Sequence, residues 1–232
     1  MAAGSIEKET RMSDMERAAA IEARFLACLA AAERRDQPYP HWLLAQCLPD
    51  DVVDDLLTLP IPPAHIGDTL GRRETHNDSR IHFGAHYRSR HPVMDTLARV
   101  FQSQRVVEAL RQTTGAPPAG TSLRIEYCQD TDGFWLEPHT DIGVKKFTML
   151  IYLNREPQAI DWGTDIYSDP TTHVGRAPAG FNTGLIFVPG ENTWHAFDRR
   201  PIDGVRKSLI INYVGPEWRA RHELCFPDTP VG

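Results

Sequence analysis

Residues 135–141 read Trp135-Leu136-Glu137-Pro138-His139-Thr140-Asp141, and their decisive part is a histidine and an aspartate separated by one residue. On a strand successive side chains alternate faces, so His139 and Asp141 point the same way. A distant third ligand, His195 in Asn192-Thr193-Trp194-His195, completes a two-histidine, one-carboxylate face. Such a set leaves the opposite side of an octahedral ion open, which suits non-haem Fe(II) and O2 chemistry. Further on, Arg206 offers a planar, permanently charged fork for a carboxylate. Together these residues predict an oxygenase with a dicarboxylate co-substrate.

Working outward, residues 121–215 read as strands separated by turns. The strands are predicted over Ser122–Cys128, Lys145–Asn154, Thr183–Pro189 and Arg206–Val214. Asp132-Gly133, Trp162-Gly163, Pro189-Gly190 and Asp203-Gly204 supply the turn chemistry. Residues 1–120 are mainly helical. Ile21, Phe25, Leu26 and Leu29 fall at helical spacing within a helix predicted over Ser13–Arg35, with Ser13 as cap and Glu16 three residues later. A second helix runs from Leu48-Pro49-Asp50-Asp51 to about Leu59, where Pro60-Ile61-Pro62-Pro63 ends it. A third is predicted over Val93–Thr114. No repeat or low-complexity linker divides residues 1–232, so a single domain is expected, mainly β: a double-stranded β-helix (jelly-roll) core buttressed by N-terminal helices.

Composition excludes several classes. At 232 residues, 41% hydrophobic and 24% charged, the chain has the balance of a globular protein rather than a disordered one. A net charge of −6 argues against general nucleic-acid binding. The longest apolar runs, such as Thr148–Leu153 and Leu209–Val214, are too short to span a bilayer. Cys28, Cys47, Cys128 and Cys225 form no Cys-x-x-Cys pair and read as reduced thiols. The N-terminus lacks the order of a signal peptide, so a cytoplasmic protein is expected.

From about Arg124 to Val214 the chain resembles the Fe(II)- and 2-oxoglutarate-dependent oxygenases, in particular the prolyl 4-hydroxylase-like subgroup. Tyr127 in a strand, Gly133, then His139-Thr140-Asp141 follow the family order. Thr148-Met149-Leu150-Ile151-Tyr152-Leu153, the turn Gly163-Thr164, the strand Gly184-Leu185-Ile186-Phe187, His195 and Arg206 complete it. The resemblance implies that His139, Asp141 and His195 hold Fe(II) and that Arg206 pairs with the far carboxylate of 2-oxoglutarate. Ser208, on the same strand face as Arg206, is then expected to donate to that carboxylate, and Tyr127 to add a third hydrogen bond. Lys207 should face the other way. Many members of the subgroup use lysine for the carboxylate, so Arg206 is a departure.

The implied reaction is hydroxylation of a C–H bond in a small-molecule substrate, with 2-oxoglutarate and O2 converted to succinate and CO2. A halogenase would replace the ligand carboxylate by a small residue, and Asp141 argues against one. Zinc also takes two histidines and a carboxylate, but Arg206 and Ser208 favour the 2-oxoglutarate reading. A peptidyl or protein hydroxylase is the nearest alternative, and a non-catalytic jelly-roll metal- or sugar-binding protein is the alternative from another class. For substrate contacts the sequence offers Trp135 and Glu137, immediately before the ligand pair, and Arg72 and Arg73 in an Arg/His-rich stretch over residues 68–92. That stretch, with five arginines against three acids, is read as a lid that steers an anionic molecule, or equally as a solvated loop. Lys145, Asp161 and Trp194 also stand near the motif elements.

Overall fold

Alternation along three central strands organises the molecule. The computed structural model describes residues 3–72 and 80–232, with the backbone alone over 3–13. In chain order the strands are β1 (Glu33–Arg35), β2 (His41–Ala45), β3 (Arg80–His82), β4 (Ser122–Asp130), β5 (Leu136–His139), β6 (Lys145–Tyr152), β7 (Asp165–Asp169), β8 (Thr172–Arg176), β9 (Thr183–Phe187), β10 (His195–Phe197) and β11 (Arg206–Val214). They form two antiparallel sheets, one of order β1-β2-β9-β6-β11-β4-β3 and one of order β5-β10-β7-β8. This is the expected jelly-roll arrangement, as two facing sheets rather than a closed barrel.

Strand β11 lies between β4 and β6, and antiparallel partners share a face. Leu209, Ile211 and Tyr213 therefore line up with Tyr127, Ile125 and Leu123 on one side and Ile151, Met149 and Phe147 on the other. All are buried in the main core, where they meet Phe25, Leu56, Phe101 and Leu110 of the helical layer. That layer comprises α1 (Ala3–Ala30), α2 (Asp50–Leu57), the short α3 (Ala85–Arg88), α4 (Pro92–Gln102) and α5 (Gln104–Thr114). The opposite parity, Arg206, Ser208, Ile210 and Asn212, faces the smaller sheet with Asp130, Cys128, Glu126 and Arg124.

Three boundaries differ from expectation. The first helix spans Ala3–Ala30, so Ser13 is interior rather than a cap, and Arg34 and Arg35 belong to β1. The helix predicted over Val93–Thr114 is two helices. Ser103 turns extended (φ −65°, ψ 140°) and its Oγ accepts from the Val106 amide, capping α5. Finally, β3, β5, β7, β8 and β10 are strands of three to five residues, too short to show a period. No described helix is long and apolar enough to cross a membrane, and the four cysteines are buried and unpaired with one another as disulfides.

Ile211 sits at the centre of the larger sheet and is fully buried. Ile211→Ala is expected to lower stability by about 2–5 kcal/mol, read as a shift of the urea midpoint with little change in slope.

Candidate metal centre

The two histidines are brought together by strand pairing. His195 opens β10 and is the direct antiparallel partner of His139, the last residue of β5. Their rings lie 4.4 Å apart, centroid to centroid. His139 Nδ1 is 2.8 Å from the Glu137 carbonyl and His195 Nδ1 is 2.9 Å from the Thr193 carbonyl. A carbonyl oxygen can only accept, so each Nδ1 carries the proton and each Nε2 keeps its lone pair for the cavity. Asp141 falls in the turn just past β5 rather than on the strand, yet it joins the set. The ligand atoms of His139, Asp141 and His195 all lie within 4.8 Å of one another. A facial set about a first-row ion spans about 3 Å, which small rotamer changes would reach.

Asp141 is held by two donors. Lys145 Nζ donates to Oδ1 at 2.6 Å and Thr148 Oγ1 to Oδ2 at 2.7 Å. Burial pushes the carboxyl upward, but Lys145, His195 and Thr148 together outweigh it and hold Asp141 well below the usual carboxylate range. His195 moves the other way for a histidine. Burial, helped by neighbouring His139, lowers it from 6.5 to about 4, so it is neutral at physiological pH. Phe187 packs on its ring, with centroids 4.7 Å apart. Behind it, the Tyr39 hydroxyl donates to the Trp194 carbonyl at 3.1 Å. Ionised carboxylate and neutral imidazoles are the protonation states a divalent ion requires.

The cavity lined by these ligands is also lined by Arg206, with Phe134, Leu150, Phe197 and Ile210 as apolar walls. Arg206 is buried, and its fork is partly committed. Nε donates to the Trp162 carbonyl at 2.6 Å and Nη1 to Asp130 Oδ2 at 2.5 Å. Only Nη2 lacks a hydrogen-bond partner among the described residues. Ser208 lies between Arg206 and Ile210 on the same strand face; it is fully buried and its hydroxyl has no partner among the described residues. A buried orphan hydroxyl next to a guanidinium fits an anionic guest that the protein itself does not supply.

Several expected residues stand elsewhere. Tyr127 has the wrong strand parity for the site: it faces the helices, and its hydroxyl donates to the Leu56 carbonyl at 3.0 Å. No co-substrate contact from Tyr127 follows from this geometry. Lys207 does face away, donating to the Leu57 carbonyl. Arg72 and Glu137 border an outer groove that shares His139, Asp141 and Lys145 with the cavity and adds Ile142 and Trp218. Trp135 is turned aside, donating through Nε1 to Asp68 at 2.7 Å and stacking under Arg199. Arg73 lies outside the described residues. The arginine-rich stretch is not a free cationic lid where it is described. Arg80 pairs with Asp130, Arg88 with Asp95, and Arg90 bonds His86.

Residues not named as candidate ligands or co-substrate contacts include Arg80, Asp130 and Thr164. Arg80 and Thr164 line the cavity, and the Tyr152 hydroxyl donates to Thr164 Oγ1 at 2.8 Å. The available signal was the alternation along β4, where Arg124, Glu126 and Asp130 share one parity and Leu123, Ile125 and Tyr127 the other. A second cluster, Asp165, His173 and Asp198, also gathers possible ligands. Its central carboxylate is already neutralised by Arg176 and Arg200.

No protein-family model and no curated protein sequence matches the chain. Solved structures do. A prolyl 4-hydroxylase from Phytophthora capsici superposes with a TM-score of 0.57 at 14% identity over 86% of this chain. The match spans 66% of that protein, just under two thirds of its length. A prolyl hydroxylase from Trichoplax adhaerens, solved with a hypoxia inducible factor peptide fragment, gives 0.52 at 12% identity, covering 86% of this chain and 91% of its own. HygX from Streptomyces hygroscopicus, solved with nickel and 2-oxoglutarate, gives 0.50 at 14% identity, covering 77% and 84%. The chain thus has the jelly-roll fold of the 2-oxoglutarate oxygenases.

The histidine environment predicts a pH response of the metal-free protein. A folded-state value near 4 against 6.5 means the unfolded chain takes up a proton first as pH falls. Stability from His195 is present above pH 6.5 and is lost as pH drops toward 4. Thermal midpoints of chelator-treated protein should fall across that window, and His195→Gln should flatten part of the fall.

Proposed function

We propose that the chain is an Fe(II)- and 2-oxoglutarate-dependent oxygenase that hydroxylates a C–H bond of a small molecule. The carrying observation is the convergence of two proton-directed imidazoles and an ionised Asp141 on a cavity that the buried Arg206 also lines, with the orphan hydroxyl of Ser208 two residues on along the same strand face. His139, Asp141 and His195 would hold the metal. Arg206 Nη2 and Ser208 Oγ would hold the far carboxylate of 2-oxoglutarate, a stronger interaction inside an apolar cavity than in water. When bound, Fe(II), 2-oxoglutarate and O2 supply the oxidation itself and yield succinate and CO2. The protein's part is to fix the ligand face, orient the co-substrate and exclude water with Phe134, Leu150, Phe197 and Ile210.

For the substrate, the outer groove favours a small molecule. Its volume of about 370 Å³ lies within the range of small-ligand clefts. Arg72, Glu137, Ile142 and Trp218 give it mixed charge and an apolar floor, and Lys145 stands at its junction with the cavity. A peptidyl hydroxylase is the second reading, supported by the Trichoplax neighbour that was solved with a peptide. Succinate release, dependent on Fe(II) and stimulated by a panel of small acids and amines beside proline-containing peptides, tests both. Stimulation by peptides alone would replace the first reading with the second. No 2-oxoglutarate turnover with any candidate, and no 2-oxoglutarate binding, would leave a metal-binding protein.

Two substitutions give sharper outcomes. Asp141→Ala removes the only charged ligand and should abolish succinate production while cooperative unfolding persists, as circular dichroism would register. Arg206→Ala should weaken 2-oxoglutarate binding about 30-fold or more, the equivalent of roughly 2 kcal/mol for truncating one partner of a buried charge pair. Arg206→Lys should recover part of that loss, because an ammonium cannot reproduce the planar donor array. Titration of the visible band of the anaerobic Fe(II) protein measures all three affinities.

A further inference from the structure

One oxygen of Asp141 is served by a chain of hydrogen bonds that crosses three strands. Thr148 Oγ1 on β6 donates to Asp141 Oδ2 at 2.7 Å. Asn212, the direct partner of Thr148 on β11, donates through Nδ2 to that same Oγ1 at 3.0 Å and to the Phe147 carbonyl at 3.3 Å. Arg124, the partner of Asn212 on β4, donates through Nη1 to Asn212 Oδ1 at 3.4 Å. Thr148, Asn212 and Arg124 are all buried. Arg124 is in turn anchored by Glu126 and Glu223, and its guanidinium lies 4.8 Å from the centre of the Trp218 ring.

The chemistry of these groups fixes the direction of each proton. A guanidinium only donates and a carbonyl only accepts, so the Asn212 amide is oriented from both sides, its oxygen toward Arg124 and its nitrogen toward Phe147 and Thr148. A hydroxyl that accepts from Asn212 has its one proton left to give, and Asp141 Oδ2 takes it. We infer that Thr148 is a positioning residue for Asp141, and that Asn212 acts through it by keeping the Thr148 proton turned toward the carboxylate. The inference rests on the oxygenase reading, from which it takes Asp141 as a ligand. Asp141 lies past the end of β5, where no ladder holds it. The chain of bonds ties its carboxylate to the centre of the larger sheet instead. Outer partners that orient a ligand in this way contribute about ten- to a hundredfold to metal affinity.

The test is titration of the full chain with Mn(II) alone, the free ion being read from its paramagnetic resonance. The thermal midpoint of the metal-free protein serves as the folding control. Thr148→Val removes the hydroxyl at nearly constant shape and should weaken Mn(II) about tenfold or more. Thr148→Ser keeps the hydroxyl and should stay within about threefold of wild type. Asn212→Leu should weaken Mn(II) about threefold or more although the Thr148 hydroxyl remains. The double variant Thr148→Val with Asn212→Leu should bind no more weakly than Thr148→Val alone, because Asn212 acts only through that hydroxyl. Should Thr148→Val fold poorly, Thr148→Ala removes the hydroxyl without putting a methyl group in its place. Three results would overturn the positioning role: wild-type affinity in a folded variant that lacks the hydroxyl, a loss in Thr148→Ser equal to that in Thr148→Val, or additive losses in the double variant. Wild-type protein that binds no Mn(II) would instead overturn the ligand set on which the inference rests.

Discussion

Everything at this site depends on the antiparallel pairing of β11 with β4 and β6. That ladder sorts residues by parity, sending Leu209, Ile211 and Tyr213 into the helical layer and Arg206, Ser208 and Ile210 toward the smaller sheet. A one-residue slip would exchange the two sets and place a guanidinium in the apolar core. The register is fixed by the buried apolar face, so the functional face inherits its precision from packing it takes no part in. The smaller sheet repeats the logic on a shorter scale, where one cross-strand pair, His139 and His195, supplies two of the three candidate ligands.

The polar residues on the cavity face are disposed in two different ways. Toward one end, Arg124, Glu126, Glu223 and Asn212 satisfy one another, with Asn212 also donating to Thr148. Buried networks of this kind are costly unless complete, and here they are tied together across strands. Toward the other end lie Arg206 and Ser208, with donors that the described protein leaves unused. Completeness at one end thus contrasts with unused donors at the other.

The fold class and the gathering of His139, Asp141 and His195 were legible because each rests on local pattern. His139, Asp141, His195 and Arg206 lie in turn-bounded segments whose order is readable, and β11 was bounded to the residue. Tyr127 was misread because residue type and strand membership do not reveal which face a residue takes; parity counted from Arg206 through the pairing of Leu209 with Tyr127 settles it, and that pairing is a tertiary fact. Arg80 was read as one arginine of a lid or solvated loop because its partner, Asp130, is fifty positions away in sequence. The split at Ser103 went unseen for a different reason: α4 and α5 carry nearly continuous apolar spacing, and a serine can be a helix interior or a cap. Short strands such as β5 and β10 offer too few residues for a period of two to emerge.

The contact between Lys145 and Asp141 carries a consequence for the capture of a cation. An aspartate with an ammonium at 2.6 Å and a hydroxyl at 2.7 Å is already a compensated charge before any ion arrives. The buried Asp141 carboxylate is therefore compensated by the protein itself, with no bound cation needed to offset its burial. A cation placed at this carboxylate would compete with Lys145 for the same oxygen, so its capture would release less free energy than at a bare carboxylate.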